Sequence, residues 1–148
     1  MSPRINVVVL GAGYAGLMAA MRLAKKTDAT VAITLVNIDD VFHERVRNHQ
    51  LAAGQSIRQH SLISLLRGTR IRFLQGTVDA LQPSQRRITV QAAEGLRSVG
   101  YDYLIYALGS SVSVGGVPGV REYAYTLDHA SALSLAGRLP AIAGRGGR

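Results

Sequence analysis

Short, uninterrupted apolar runs alternate along the chain with longer stretches in which apolar positions recur at helical spacing. "INVVVL" at 5–10 is β-branched and shows no alternation, the pattern of a strand covered on both faces. "YAGLMAAMRLAKK" predicts a helix over 14–26 that ends in two lysines, where the helix dipole favours cations. "TVAITLV" at 30–36 repeats the covered-strand pattern, so a β-α-β unit with parallel strands and a right-handed crossover is expected. A loop then leads into a helix predicted over 44–53. Ser61 is an N-cap candidate for a helix through Leu66, and "TRIRFLQG" reads as a third strand.

"TVDALQ", "RRITVQ" and "LRSVGYD" are short strands separated by turn signals at Pro83-Ser84 and Glu94-Gly95, the spacing of an antiparallel meander. "YLIYALG" at 103–109 is another continuous apolar strand. The Gly-rich "SSVSVGGVPGV" follows, then a helix predicted over 128–139 with Asp128 as its cap, and a tail from Pro140 outside it. The implied fold class is α/β and Rossmann-like: a parallel sheet flanked by helices, with a small three-stranded antiparallel meander.

The 148 residues suit one ordinary domain with a real core. Absence of cysteine excludes a disulfide framework, a thiolate metal site and a redox-active cysteine pair, and fits a cytoplasmic location. The net charge of +8 comes from 15 Arg and 2 Lys against 9 acids. Those arginines are scattered, only Arg86-Arg87 being adjacent, and no aromatics are interleaved, which argues against nucleic-acid binding. No charge occurs from Ile5 to Met21, but three glycines, Asn6 and Tyr14 interrupt that run and no cleavage site follows. A soluble chain with no transmembrane segment is expected.

Gly11, Gly13 and Gly16 form G-x-G-x-x-G between the first strand and the first helix. In that context each glycine has a role: Gly11 for a tight turn, Gly13 for backbone approach to a pyrophosphate, Gly16 for close helix packing. The phosphates of a dinucleotide would lie on the N-terminus of the helix. An acidic residue to bind ribose hydroxyls is expected about 20 residues on. Asn37 stands there, with Asp39 and Asp40 just beyond, and Arg45 and Arg47 nearby could suit a 2′-phosphate instead. His43 and His49 are six apart, which places them on different faces of a helix, so no zinc site is expected. His60 and His129 read as polar helix-start residues.

"VVVLGAGYAGLMAAMRLAKK", "ITLVNIDDVFHERVRNHQLAAGQ", "YDYLIYALGS" and "VPGVREYAYTLDHASAL", in this order, resemble the N-terminal part of the FAD-dependent pyridine nucleotide-disulfide oxidoreductases, in their type II NADH dehydrogenase-like branch. The resemblance covers nearly the whole chain. It implies FAD on Gly11, Ala12, Gly13, Tyr14, Ala15 and Gly16, Arg45 near the flavin and its diphosphate, and the main chain of Val78 at the adenine. Ala107 and Gly109 would face the cofactor, with Leu108 where the family usually has threonine.

The implied reaction passes hydride from NAD(P)H through FAD to a quinone or another acceptor, without dithiol chemistry. Residues 1–112 would be the first half of a discontinuous FAD-binding domain, and 113–148 a linker and helix leading to an absent NAD(P)H-binding domain. On this reading the chain is an incomplete enzyme, with an open sheet edge beside 103–108 prone to self-association. The alternative is a non-enzymatic FAD- or NAD(P)-binding module that acts with a partner chain.

Overall fold

β1 (Ile5–Leu10), α1 (Tyr14–Lys26) and β2 (Val31–Asn37) fold as the expected β-α-β unit. β3 (Val41–Phe42), a 3-10 turn at Arg45–Arg47, α2 (Asn48–Ala52), β4 (His60–Ser61), α3 (Leu62–Leu65) and β5 (Ile71–Gln75) come next. β6 (Thr77–Gln82), β7 (Arg87–Ala92) and β8 (Gly95–Gly100) form the antiparallel meander, and β9 (Tyr103–Tyr106), α4 (Val120–Tyr123) and α5 (His129–Gly144) complete the chain. The computed structural model describes residues 4–146; the final two positions of the expected 113–148 segment lie outside the described residues.

The described chain divides into two units. The first runs up to Phe42 and resumes over His60–Gly109. Its parallel sheet has the order β5-β2-β1-β9, and side-chain alternation gives that sheet two cores. On one face Val9, Ile33, Leu35 and Ile71 pack with Leu17 and Ala20 of α1 and with Leu62 and Leu66. On the other, Val8, Leu10 and Val36 lie under Ile88 and Val90 of the meander. Being covered on both sides explains why these strands are unbroken apolar runs. β9 is an outer strand of the described sheet, and Tyr103 and Tyr106 are about two-thirds exposed on it.

The second unit, His43–Gln59 and the chain from Ser110, packs α2 against α5. Asn48 pins it: the side chain is buried, and its amide donates to the Leu127 carbonyl at 2.7 Å. Asp128 caps α5, accepting from the Ser131 N–H at 3.0 Å and from the Thr126 hydroxyl.

Several local expectations need correction. The helix predicted over 44–53 enters as a 3-10 turn at Arg45–Arg47 and is α-helical only over Asn48–Ala52. Ser61 occupies the N-cap position of α3 but makes no capping bond; it lies in the β3–β4 ladder opposite Val41, and the next N–H, that of Leu62, donates to the Asp40 carbonyl. His60 pairs with Phe42 in a strand and does not start a helix. α5 continues to Gly144 with Pro140 inside it. That segment is exposed, so water can satisfy the carbonyl deprived of its partner. The expected linker also holds the single turn α4.

Two outcomes follow. Leu35→Ala, at a fully buried position, should cost about 2–5 kcal/mol in a urea titration; a loss below about 1 kcal/mol would contradict the core described here. The Thr126 hydroxyl, and after it the Ser131 N–H, hold the Asp128 carboxyl below its usual range. Its capping therefore contributes fully above the ordinary aspartate value of about 3.9 and is lost as pH falls through the lower folded value. Protection of the Ser131 and Ala132 amides, relative to their intrinsic exchange at each pH, should fall over that acid window, and Asp128→Ala should remove that fall.

Candidate dinucleotide-binding site

β1 ends at Leu10, and the chain turns at once into the N-terminus of α1. The turn sits between two strands: the Gly11 N–H donates to the Val36 carbonyl of β2 and the Ala107 N–H to the Leu10 carbonyl, both at 2.8 Å. Chain connections leave β1 toward β2 on one side, while β9 lies on the other. The C-terminal end of β1 is thus a topological switch point, where open α/β sheets form their ligand crevice.

The three glycines play different parts. Gly11 has φ +91°, and a Cβ there would lie 2.4 Å from the Ala107 carbonyl oxygen. A Cβ on Gly16 would come within 1.8 Å of the Gly11 carbonyl oxygen. Both positions exclude a side chain on structural grounds alone. Around Gly13 nothing lies within 4 Å of an added Cβ, so its bare backbone faces open space.

Gly13 is also the N-cap of α1. No side chain caps this end, and the first turn holds no acid. The early N–H groups and the positive end of a 13-residue helix are therefore left for an anion. Ala12 is buried, whereas Gly13, Tyr14 and Ala15 are exposed at the mouth. Tyr14 is steadied edge-on by Phe42, with ring centroids 5.0 Å apart.

Asn37 closes the turn from the β2 side. Its Oδ1 accepts from the Ala12 N–H at 2.9 Å, while Nδ2 donates to the Asp39 carbonyl at 3.0 Å and to its carboxylate at 3.2 Å. The Asn37 carbonyl receives the Gly76 N–H at 2.8 Å, which brings the opening of the meander alongside. Val78, two residues on, is half-buried at the register shift of β6. Ala107 is half-buried against the turn; Gly109, at φ +79°, is exposed just past β9. Arg45 belongs to the second unit, where its guanidinium donates to the Ser110 carbonyl at 3.0 Å.

Two supporting residues escaped sequence reasoning. Phe42 becomes visible only once β3 pairs with β4. Arg70 ties the start of β5 to the far end of α1, donating to the carbonyls of Ala24, Thr27 and Asp28. A cation before a strand carries no local signal of that use. Among the described residues no group of three His, Cys, Asp or Glu is arranged to hold a metal ion, and no helix is long and apolar enough to cross a membrane.

The family model for pyridine nucleotide-disulphide oxidoreductases matches residues 5–144. A type II NADH:quinone oxidoreductase of Staphylococcus haemolyticus is 30% identical over 131 residues, which span 85% of this chain and 31% of that protein. The chain thus spans about a third of the length of such relatives. The sulfide:quinone oxidoreductase of Aquifex aeolicus superposes with a TM-score of 0.80 at 25% identity, covering 95% of this chain and 32% of the other. NDH2 from Plasmodium falciparum, solved in complex with NADH, shares the fold with a TM-score of 0.77 at 23% identity, covering 97% and 30%.

The glycine geometry separates folding from binding. Gly16→Ala should fail to reach a stable fold, because the obstruction is backbone. Gly13→Ala should fold with its stability reduced by no more than about 1 kcal/mol, the loss of a glycine N-cap. Circular dichroism melts of the two variants make the comparison, and equal destabilisation would contradict it.

Proposed function

The chain belongs to the pyridine nucleotide-disulphide oxidoreductase family, and from that membership we propose that its first unit holds FAD on the Gly11–Gly16 turn. In the complete protein this segment would serve hydride transfer from NAD(P)H to a quinone or another acceptor. One observation carries the reading: a side-chain-free, open Gly13 stands on an uncapped helix end at the switch point of a parallel sheet.

The residues present fit a diphosphate. The N–H groups of Tyr14, Ala15 and Gly16 open the helix, and Gly13 lets a phosphate oxygen approach them. Asn37 fixes the turn through the Ala12 N–H, so the donors are oriented before a ligand arrives. Its amide oxygen is already engaged there, which supports a role in shaping the turn alongside any contact to ribose. Ala107 and Gly109 would border the cofactor from the β9 side, and the main chain of Val78 would meet the adenine. FAD, when bound, supplies a two-electron carrier between the nicotinamide donor and the acceptor. The 148 residues contain no cysteine, so no dithiol on this segment takes part.

Only one G-x-G-x-x-G occurs in these 148 residues. The nicotinamide donor would be held by a further polypeptide segment, of this or another chain. The exposed outer strand β9 supports pairing with such a segment.

Titration of the purified chain with FAD, NADH and NADPH tests the reading. FAD should bind with the yellow flavin spectrum, and Gly13→Ala should weaken that binding about tenfold or more, equivalent to ~1.4 kcal/mol of lost contact. Binding of NADH without binding of FAD would overturn the assignment.

A further inference from the structure

The meander face of the sheet changes character along its strands. Toward the C-terminal ends it is apolar, with Leu10 and Val36 buried under Ile88 and Val90. Two residues earlier, the register aligns Val8, Thr34 and Arg72 across β1, β2 and β5. Ile71 packs on the α1 side and Leu74 on the meander side, so alternation puts Arg72 on the meander side too. Arg72 is exposed there, so the meander leaves this part of the face open.

Arg72 is not alone. A cleft of about 780 Å³ lies between this part of the sheet and the meander, lined by Arg72, Arg86, Arg87 and Arg97 with Thr34 and Asn6. Asp102 is the one carboxylate in the lining, and its Oδ2 accepts from the Asn6 N–H at 2.7 Å. Arg87 donates to the Ser98 hydroxyl at 3.0 Å, and Arg97 pairs with Glu94 at 3.0 Å. Among the described residues the side chains of Arg72 and Arg86 have no hydrogen-bond or ion-pair partner.

Arg86 is also the one described non-glycine residue in the left-handed region, at φ +49°. Its N–H donates to the Pro83 carbonyl, and its own carbonyl accepts from Tyr101, both at 3.0 Å. These bonds hold it in a conformation that Gly or Asn adopts more readily.

We propose that this cleft is a second anion site, which takes a small free ligand bearing two or more phosphate groups. Guanidinium forks match phosphate oxygens in pairs, and Arg72 and Arg86 bring two such forks to the lining with no internal partner among the described residues. The recess favours a free ligand over a bilayer surface, since the nearly fully buried Val8 forms part of its lining. It is separate from the glycine turn: Asn6 lies four residues before Leu10, ~13 Å along β1.

Calorimetric titration of the full chain with inorganic pyrophosphate, in the presence of excess FAD, tests this. Binding is expected, and it should weaken as NaCl is raised. Arg72→Gln and Arg86→Asn should each lower affinity about tenfold or more. Neither should change the FAD spectrum, and Arg86→Asn suits the left-handed backbone, so folding is preserved. Absence of pyrophosphate binding, or binding indifferent to both substitutions, overturns the proposal. So does binding lost in Gly13→Ala, which would place the ion on the glycine turn. Sedimentation with phosphatidylserine vesicles in the absence of pyrophosphate binding would likewise overturn it in favour of a lipid surface.

Discussion

Two backbone approaches organise the first unit: Gly11 against Ala107, and Gly16 against Gly11. At either glycine a single added carbon would fall within 2.4 Å of a carbonyl oxygen that cannot move without shifting a strand. The turn is therefore wedged between the end of β9 and the first turn of α1. Its tightness brings the helix N-terminus to the end of β1, and that nearness sets the positive end of the dipole at the switch point of the sheet. Gly13, the middle glycine, is unobstructed, so no neighbour within 4 Å demands a bare backbone there.

Asn37 illustrates how one side chain meets two electrostatic demands. A carboxylate at that position could accept the Ala12 N–H equally well, but it would face the Asp39 carboxylate at hydrogen-bond distance. The amide accepts on one side and donates on the other, satisfying Ala12 and Asp39 together. An uncharged residue at the end of β2 is thus explained within the protein, whatever the ribose requires.

The arginine excess is not one undifferentiated positive surface. Arg70 binds carbonyls at the C-terminal end of α1, where a cation also complements the dipole. Arg45 holds the Ser110 carbonyl in the second unit. Arg72 and Arg86, by contrast, face a cleft with no internal partner among the described residues. The formal charge of +8 conceals these separate uses, because it carries no information about where each guanidinium comes to lie.

What the amino-acid order determined by itself is the set of elements whose burial has a period. β1, α1, β2, the meander strands and the glycine turn were all legible, since covered strands and amphipathic helices mark themselves residue by residue. The tertiary structure alone decided contacts between residues distant in sequence: the β5-β2-β1-β9 order, the β3–β4 pairing that gives Tyr14 its aromatic neighbour, and the Asn37 bond to Ala12. It also identified the atoms that crowd Gly16, the Gly11 carbonyl after β1 and the Ala107 side chain after β9. Pro140 and Ser61 misled for the same reason. A helix breaker matters less where water can reach the freed carbonyl, and Ser61 is drawn into pairing with Val41 of β3, a partner twenty residues away that no local signal reveals.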